Sequence, residues 1–145
     1  MTVLNLQTAQ ALIAAALEHA RGKGFLPLGV AVLDPRGALV AYAAEDGTSL
    51  RRQDIALAKA NGALGMGLGS RTIAARAKAQ PAFFTTLAST IQGGFAPAPG
   101  GVLVRGEDGR LLGAVGVSGD VSDNDEAAAV AGIEAVGLKA DPGQD

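Results

Sequence analysis

Apolar residues in the first part of the chain recur at helical spacing. Leu6, Ile13, Leu17 and Ala20 share one face of a helix over 5–22, and Gly22 and Gly24 stop it. The period then changes. LGVAVLDPRGALVAYA, residues 28–43, is two β-rich runs about Asp34-Pro35-Arg36-Gly37, with Pro at the second position of a type I turn and Gly at its exit. That reads as a hairpin. Residues 51–68 return to helical spacing, with Ile55, Ala58, Leu64 and Leu68 as the apolar positions. Gly62, Gly65 and Gly67 interrupt this helix, each at about 1 kcal/mol relative to Ala. Glycines along a helix imply close packing by a second helix, a subunit or a flat ligand. Ser70 is placed to cap a helix over 71–79, and Pro81 to open another over 81–89. The stretch 91–101, IQGGFAPAPGG, is too rich in Gly and Pro to be regular. VLVR and LLGAVGV form a second hairpin about 106–109, and a helix over 123–137 precedes a polar tail, KADPGQD, expected to fray. Hairpins separated by helices predict an α+β fold, an antiparallel sheet with helices packed on it.

Asp120, Asp123, Asp125 and Glu126 crowd the junction between the last strand and the last helix. Asp123 and Glu126 have the spacing of a capping box, and Asp125 falls in the first turn, where the helix dipole favours an acid. The calcium-loop alternative fails: counted from Asp120, Asp125 stands where Gly is needed and Ala131 where Glu is needed. The cluster therefore reads as a helix start.

Composition narrows the function classes. The 145 residues are read as one domain, 1–145, with an ordered core over about 5–138. Net charge is −2 with Lys and Arg dispersed, so no basic stripe points to nucleic acid. No apolar stretch is long enough to span a membrane, no signal peptide is read at the N-terminus, and a cytoplasmic protein is expected. Cysteine is absent, which excludes thiolate metal sites and cysteine nucleophiles. There is one histidine, His19, and any mechanism needing two is read as excluded. With one Tyr, four Phe and no Trp, the core must come from Ala, Val, Leu and Ile. No Ser-His-Asp arrangement, P-loop or dinucleotide fingerprint is present, and no catalytic residue is assigned.

GGVLVRGEDGRLLGAVGVSGDVSDNDEAAAVAGIEA resembles the C-terminal half of the haem-degrading-domain family, the proteins similar to GlcG, HbpS and the C-terminal domain of PduO. VAVLDPRGALVAYAAEDGT looks like that family's N-terminal hairpin, and DIALAKANGA like its following helix. Each motif is weak alone, but their order and spacing together are specific, and they cover roughly 5–138. The resemblance implies a profilin-like α/β/α sandwich with a central antiparallel sheet, usually assembled as a homo-oligomer. It also implies haem or another tetrapyrrole as ligand, bound without catalysis or with weak catalysis; failing that, no cofactor is expected.

If haem binds, the iron donors available are His19, Met66, Tyr42 and Met1. His19 stands about 120° from the centre of its helix's apolar face, alongside Leu12, and is the first candidate metal ligand. Met66 otherwise fills a core gap. Arg51, Arg52, Arg71 and Arg76 are candidates for the propionates, or ordinary surface charges. The alternative function is an enzyme or accessory protein for a small oxo- or hydroxy-acid in a catabolic pathway. Its cleft would be made by Arg52, Lys59 and Asn61 with the 93–101 loop, where Phe95 and Pro97 supply walls and Gly100 and Gly101 supply room. Lys59 could pair with Asp54, contact a carboxylate ligand or an acid of another strand, or simply bridge to a neighbouring acid.

Overall fold

The computed structural model describes residues 2–145. In chain order the elements are α1 (Leu6–Lys23), β1 (Gly29–Leu33), β2 (Leu39–Ala44), α2 (Arg52–Met66), α3 (Ser70–Ala79), α4 (Pro81–Thr90), β3 (Gly101–Arg105), β4 (Leu111–Ser118), α5 (Ser122–Ala135) and β5 (Lys139–Asp141). The strands form one sheet in the order β2-β1-β4-β3-β5, and every neighbouring pair is antiparallel. Helices α1 and α5 pack together on one face, and α2 lies across β1, β4 and β3 on the other. This is the expected α+β sandwich.

Strand alternation gives the two faces different chemistry. Val30, Val32, Val102, Val104, Val115 and Val117 point to α1 and α5 and join Leu12, Ile13 and Ile133 in the larger core. Gly101, Leu103, Ala114, Gly116 and Ser118 alternate with them and turn to α2. A Cβ at Gly116 would overlap the carbonyl oxygen of Ala56, and one at Gly101 the carbonyl oxygen of Lys59. The α2 backbone therefore rests directly on the sheet.

Local readings fail in four places. The buried face of α2 is Ala56, Lys59, Ala60, Gly62 and Ala63, whereas Ile55 is exposed. Close approach to the sheet selects small residues there, so the larger apolar side chains sit at the flanks. Ser70 does not cap α3; Gly69 holds that position, and the buried Ser70 hydroxyl accepts from the Gly101 N–H at 2.7 Å. Helix α5 has no capping box, because it begins one residue earlier, with Val121 as its N-cap and no side-chain cap. Finally, the tail does not fray at 138. Residues 139–141 pair with β3, Arg105 Nε meets Asp141 Oδ2 at 3.0 Å, and the Gln144 N–H donates to Thr72 Oγ1 at 2.7 Å.

Candidate functional site

Lys59 lies on the sheet-facing side of α2 because α2 needs small residues along that line, and a lysine fits only by running its stem past Gly100. Its Nζ donates to Val117 O at 2.9 Å and to Asp125 Oδ2 at 3.0 Å. Both partners in this ion pair are enclosed, Lys59 at 3% exposure and Asp125 at 1%. Asp125 reaches it from α5, and its Oδ1 accepts from the Asp120 N–H at 2.9 Å. Gly100, at φ 123°, is required here: a Cβ would stand 2.8 Å from Lys59 Nζ. Burial lowers the Lys59 pKa, with Asp125 opposing, and raises that of Asp125, with Lys59 opposing.

Arg52 opens α2 beside this pair. Its Nε donates to Ser49 Oγ and its Nη1 to Ser118 Oγ, each at 3.2 Å. Thus Arg52, Lys59, Gly100 and Gly101 do come together, around one end of β4. A second group forms one turn and more along α2. Asn61 Nδ2 donates to Gln92 O and Gly94 O at 2.9 and 2.7 Å, fixing the start of the loop. Phe95 covers Gly62 and packs against Phe84, with ring centroids 6.1 Å apart. Pro97, Phe84 and Phe95 line a shallow apolar groove with Pro81 and Ala88. The close neighbour that Gly62 required is therefore a phenylalanine of the same chain.

His19 stands apart from both groups, on α1 in the opposite helical layer. It is half-buried, edge-on to Phe25 with centroids 6.0 Å apart, and neither ring nitrogen has a hydrogen-bond partner among the described residues. Met66 and Tyr42 are half-buried. Met1 lies outside the described residues. Of the other arginines, Arg51 pairs with Asp54, and Arg71 gathers Asp123, Glu126 and Asp145.

Asp125, Ser118 and Ser70 carry much of this geometry and were not legible as partners. Asp125 did leave a signal. It heads the stripe Asp125, Ala128, Ala129, Gly132 and Ile133, an acid on the buried line of its helix, which requires a buried cation. Among the described residues, no group of three or more His, Asp or Glu is arranged to hold a metal ion.

Known proteins share this fold. No curated protein matches the sequence. The structure of the PduOC:heme complex superimposes with a TM-score of 0.84 at 26% identity, covering 99% of this chain and 100% of that one. HbpS superimposes with a TM-score of 0.80 at 28% identity over 94% of this chain and 92% of that one. Protein ORFY of Klebsiella pneumoniae gives 0.83 at 26% identity, again over 94% and 92%. The model of the haem-degrading HbpS-like proteins matches residues 4–134. The order of hairpins and helices, the glycine-lined seat of α2 and this match lead to one assignment: the chain belongs to the HbpS-like haem-degrading protein family.

Proposed function

We propose that this protein binds haem, with His19 as the side chain that ligates iron, and that it works as a homo-oligomer in the cytoplasm. One observation carries the reading: the chain's only imidazole is half-exposed, stands against an aromatic ring and is committed to no hydrogen bond. Those properties fit an axial ligand, because a nitrogen lone pair is free and Phe25 limits how the ring can turn. Haem would bring the iron centre and its redox chemistry. His19 would bind and orient it, and Phe25 would shield one side of the imidazole. The relative whose structure is named as a haem complex, and the haem-degrading description of the family, support the same ligand. A half-exposed ring leaves one side for a neighbouring copy to cover, which supports assembly, and the absence of cysteine suits a reducing compartment.

The small-acid alternative is not favoured. Lys59, its intended anchor, is enclosed and already donates to Asp125 and Val117. Hemin titration of the wild type and of His19→Ala, with mass followed by light scattering, tests the proposal. The wild type should show a saturable Soret shift with a Kd in the micromolar range, about −8 kcal/mol. His19→Ala should retain its assembly, bind more weakly and shift the band. An unchanged Soret position and affinity in the variant would remove His19 from the role, and no saturable shift in the wild type would remove haem.

A further inference from the structure

Around the first half of α2, three cations face two carboxylates. Arg51 is matched by Asp54 and Lys59 by Asp125; Arg52 feels Asp125 at longer range and makes no ion pair among the described residues. Its two partners, the hydroxyls of Ser49 and the fully buried Ser118, are neutral. They fix the plane of the guanidinium without supplying a counter-charge, and Nη2 has no partner among the described residues. A half-buried arginine held in this way is set up for an oxyanion, because Nη2 is left to donate a charge-assisted hydrogen bond while the serines hold the guanidinium in place.

The adjoining strand adds a second donor. Ala31 pairs with Tyr42 across β1 and β2, so Tyr42 faces α2, and its hydroxyl lies over Gly29. Gly29 is the register partner of Ser118, the residue that holds Arg52. A Cβ at Gly29 would collide with the Tyr42 oxygen; glycine is what lets the phenol lie there. The hydroxyl has no hydrogen-bond partner among the described residues, and the acid that acts on it, Asp54, is paired with Arg51.

We propose that Arg52, with the Tyr42 hydroxyl beside it, is a binding site for a carboxylate group. The group could be a propionate of haem or could belong to a free organic acid, and the two sources are separable. The propionate source rests on the haem reading and on a neighbouring copy supplying His19, since His19 and Arg52 lie in opposite layers of one chain. Hemin and hemin dimethyl ester differ only at the propionates, charged carboxylates in one and neutral methyl esters in the other, and succinate offers the carboxylate without the macrocycle. The proteins compared are wild type, Arg52→Gln and Tyr42→Phe, the last removing only a hydroxyl that has no protein partner. If the source is a propionate, the wild type binds hemin about tenfold more tightly than the diester, as expected for one charge-assisted contact. Arg52→Gln then loses that preference, Tyr42→Phe loses part of it, and the Soret position stays unchanged in both. If the source is a free acid, both variants bind hemin as the wild type does, whereas saturable succinate binding by calorimetry is lost in Arg52→Gln and weakened in Tyr42→Phe. Should Arg52→Gln fail to fold, Tyr42→Phe decides by the same criteria. A wild type that takes up no hemin would refute the haem reading alone and leave succinate to decide. Hemin and succinate binding that are both indifferent to Arg52 and Tyr42, or absent succinate binding together with no ester discrimination, would overturn the site.

Discussion

The two faces of the sheet are built on opposite principles. Toward α1 and α5, six valines of β1, β3 and β4 meet Leu12, Ile13 and Ile133 in a core of branched aliphatic side chains. Toward α2, the sheet offers glycine, alanine and serine, the helix answers with alanines, and the largest enclosed side chain on that helix is a charged lysine. The first face draws its stability from apolar area removed from water. The second gains close backbone approach and loses side-chain volume, and its interior holds an ion pair whose attraction must offset the loss of hydration. Uncommitted polar groups follow the same division: His19 belongs to the aliphatic layer's rim, Arg52 and Tyr42 to the α2 side.

Breaking one partner of the ion pair should have the largest effect. Lys59→Met leaves Asp125 enclosed without a cation and should cost about 3–5 kcal/mol, measured by urea unfolding. Adding Asp125→Leu should recover most of that loss, which no aliphatic-core variant could do. If the double variant is as unstable as the single, the pair contributes more than mutual compensation.

Leu12→Ala samples the other face and should cost about 2–5 kcal/mol through lost burial and a residual cavity. Its effect should add to that of Lys59→Met, since the sheet separates them. Gly116→Ala should cost about 1–3 kcal/mol, because the new methyl pushes α2 off the sheet at Ala56. A neutral Gly116→Ala would mean that the helix rests less closely on the sheet than described.

These contrasts also explain what could be read from the chain. Both hairpins were legible because β-rich runs and the Asp-Pro-Arg-Gly and Gly-Glu-Asp-Gly turns between them are local signals. The buried side of α2 was not, since a face selected for smallness has little hydrophobic contrast, and Ile55 and Leu64 drew the reading to the flanks. Lys-Ala-Asp has no strand propensity; β5 exists because β3 offers an edge and Arg105 a partner for Asp141. Of the candidate site residues, Arg52, Lys59, Gly100 and Gly101 gather in one place, but only tertiary contact shows that Lys59 is answered by an acid far along the sequence. The acids at the start of α5 have separate partners: Asp120 accepts from the Leu26 N–H at 2.7 Å, Asp125 from Lys59, and Asp123 and Glu126 from Arg71.

Smaller effects sharpen the comparison. Asp123 is 77% exposed and caps nothing, so Asp123→Ala should change stability by about 0–1 kcal/mol, with the Arg71 contact as its only loss. The pH dependence of the ion pair has a definite sign. Asp125 is raised in the folded state, so above about 3.9 the folded chain holds the extra proton, and its contribution falls as pH rises through that window. Lys59 is lowered, so below about 10.4 the unfolded chain holds the extra proton, and stability rises with pH from the folded value toward that limit. The wild type measured against the Lys59→Met/Asp125→Leu double variant should therefore be least favoured near neutrality and gain toward both ends. An inverted profile would mean that mutual attraction outweighs burial.

The ion pair under α2 is structural and His19 on α1 is the proposed iron ligand, and the Soret band of the hemin complex tests that separation most directly. It should be recorded in the wild type, His19→Ala and the Lys59→Met/Asp125→Leu double variant at matched assembly state. The double variant should reproduce the wild-type band, and His19→Ala should shift or lose it. A band that moves with the ion pair and ignores His19 would contradict the account.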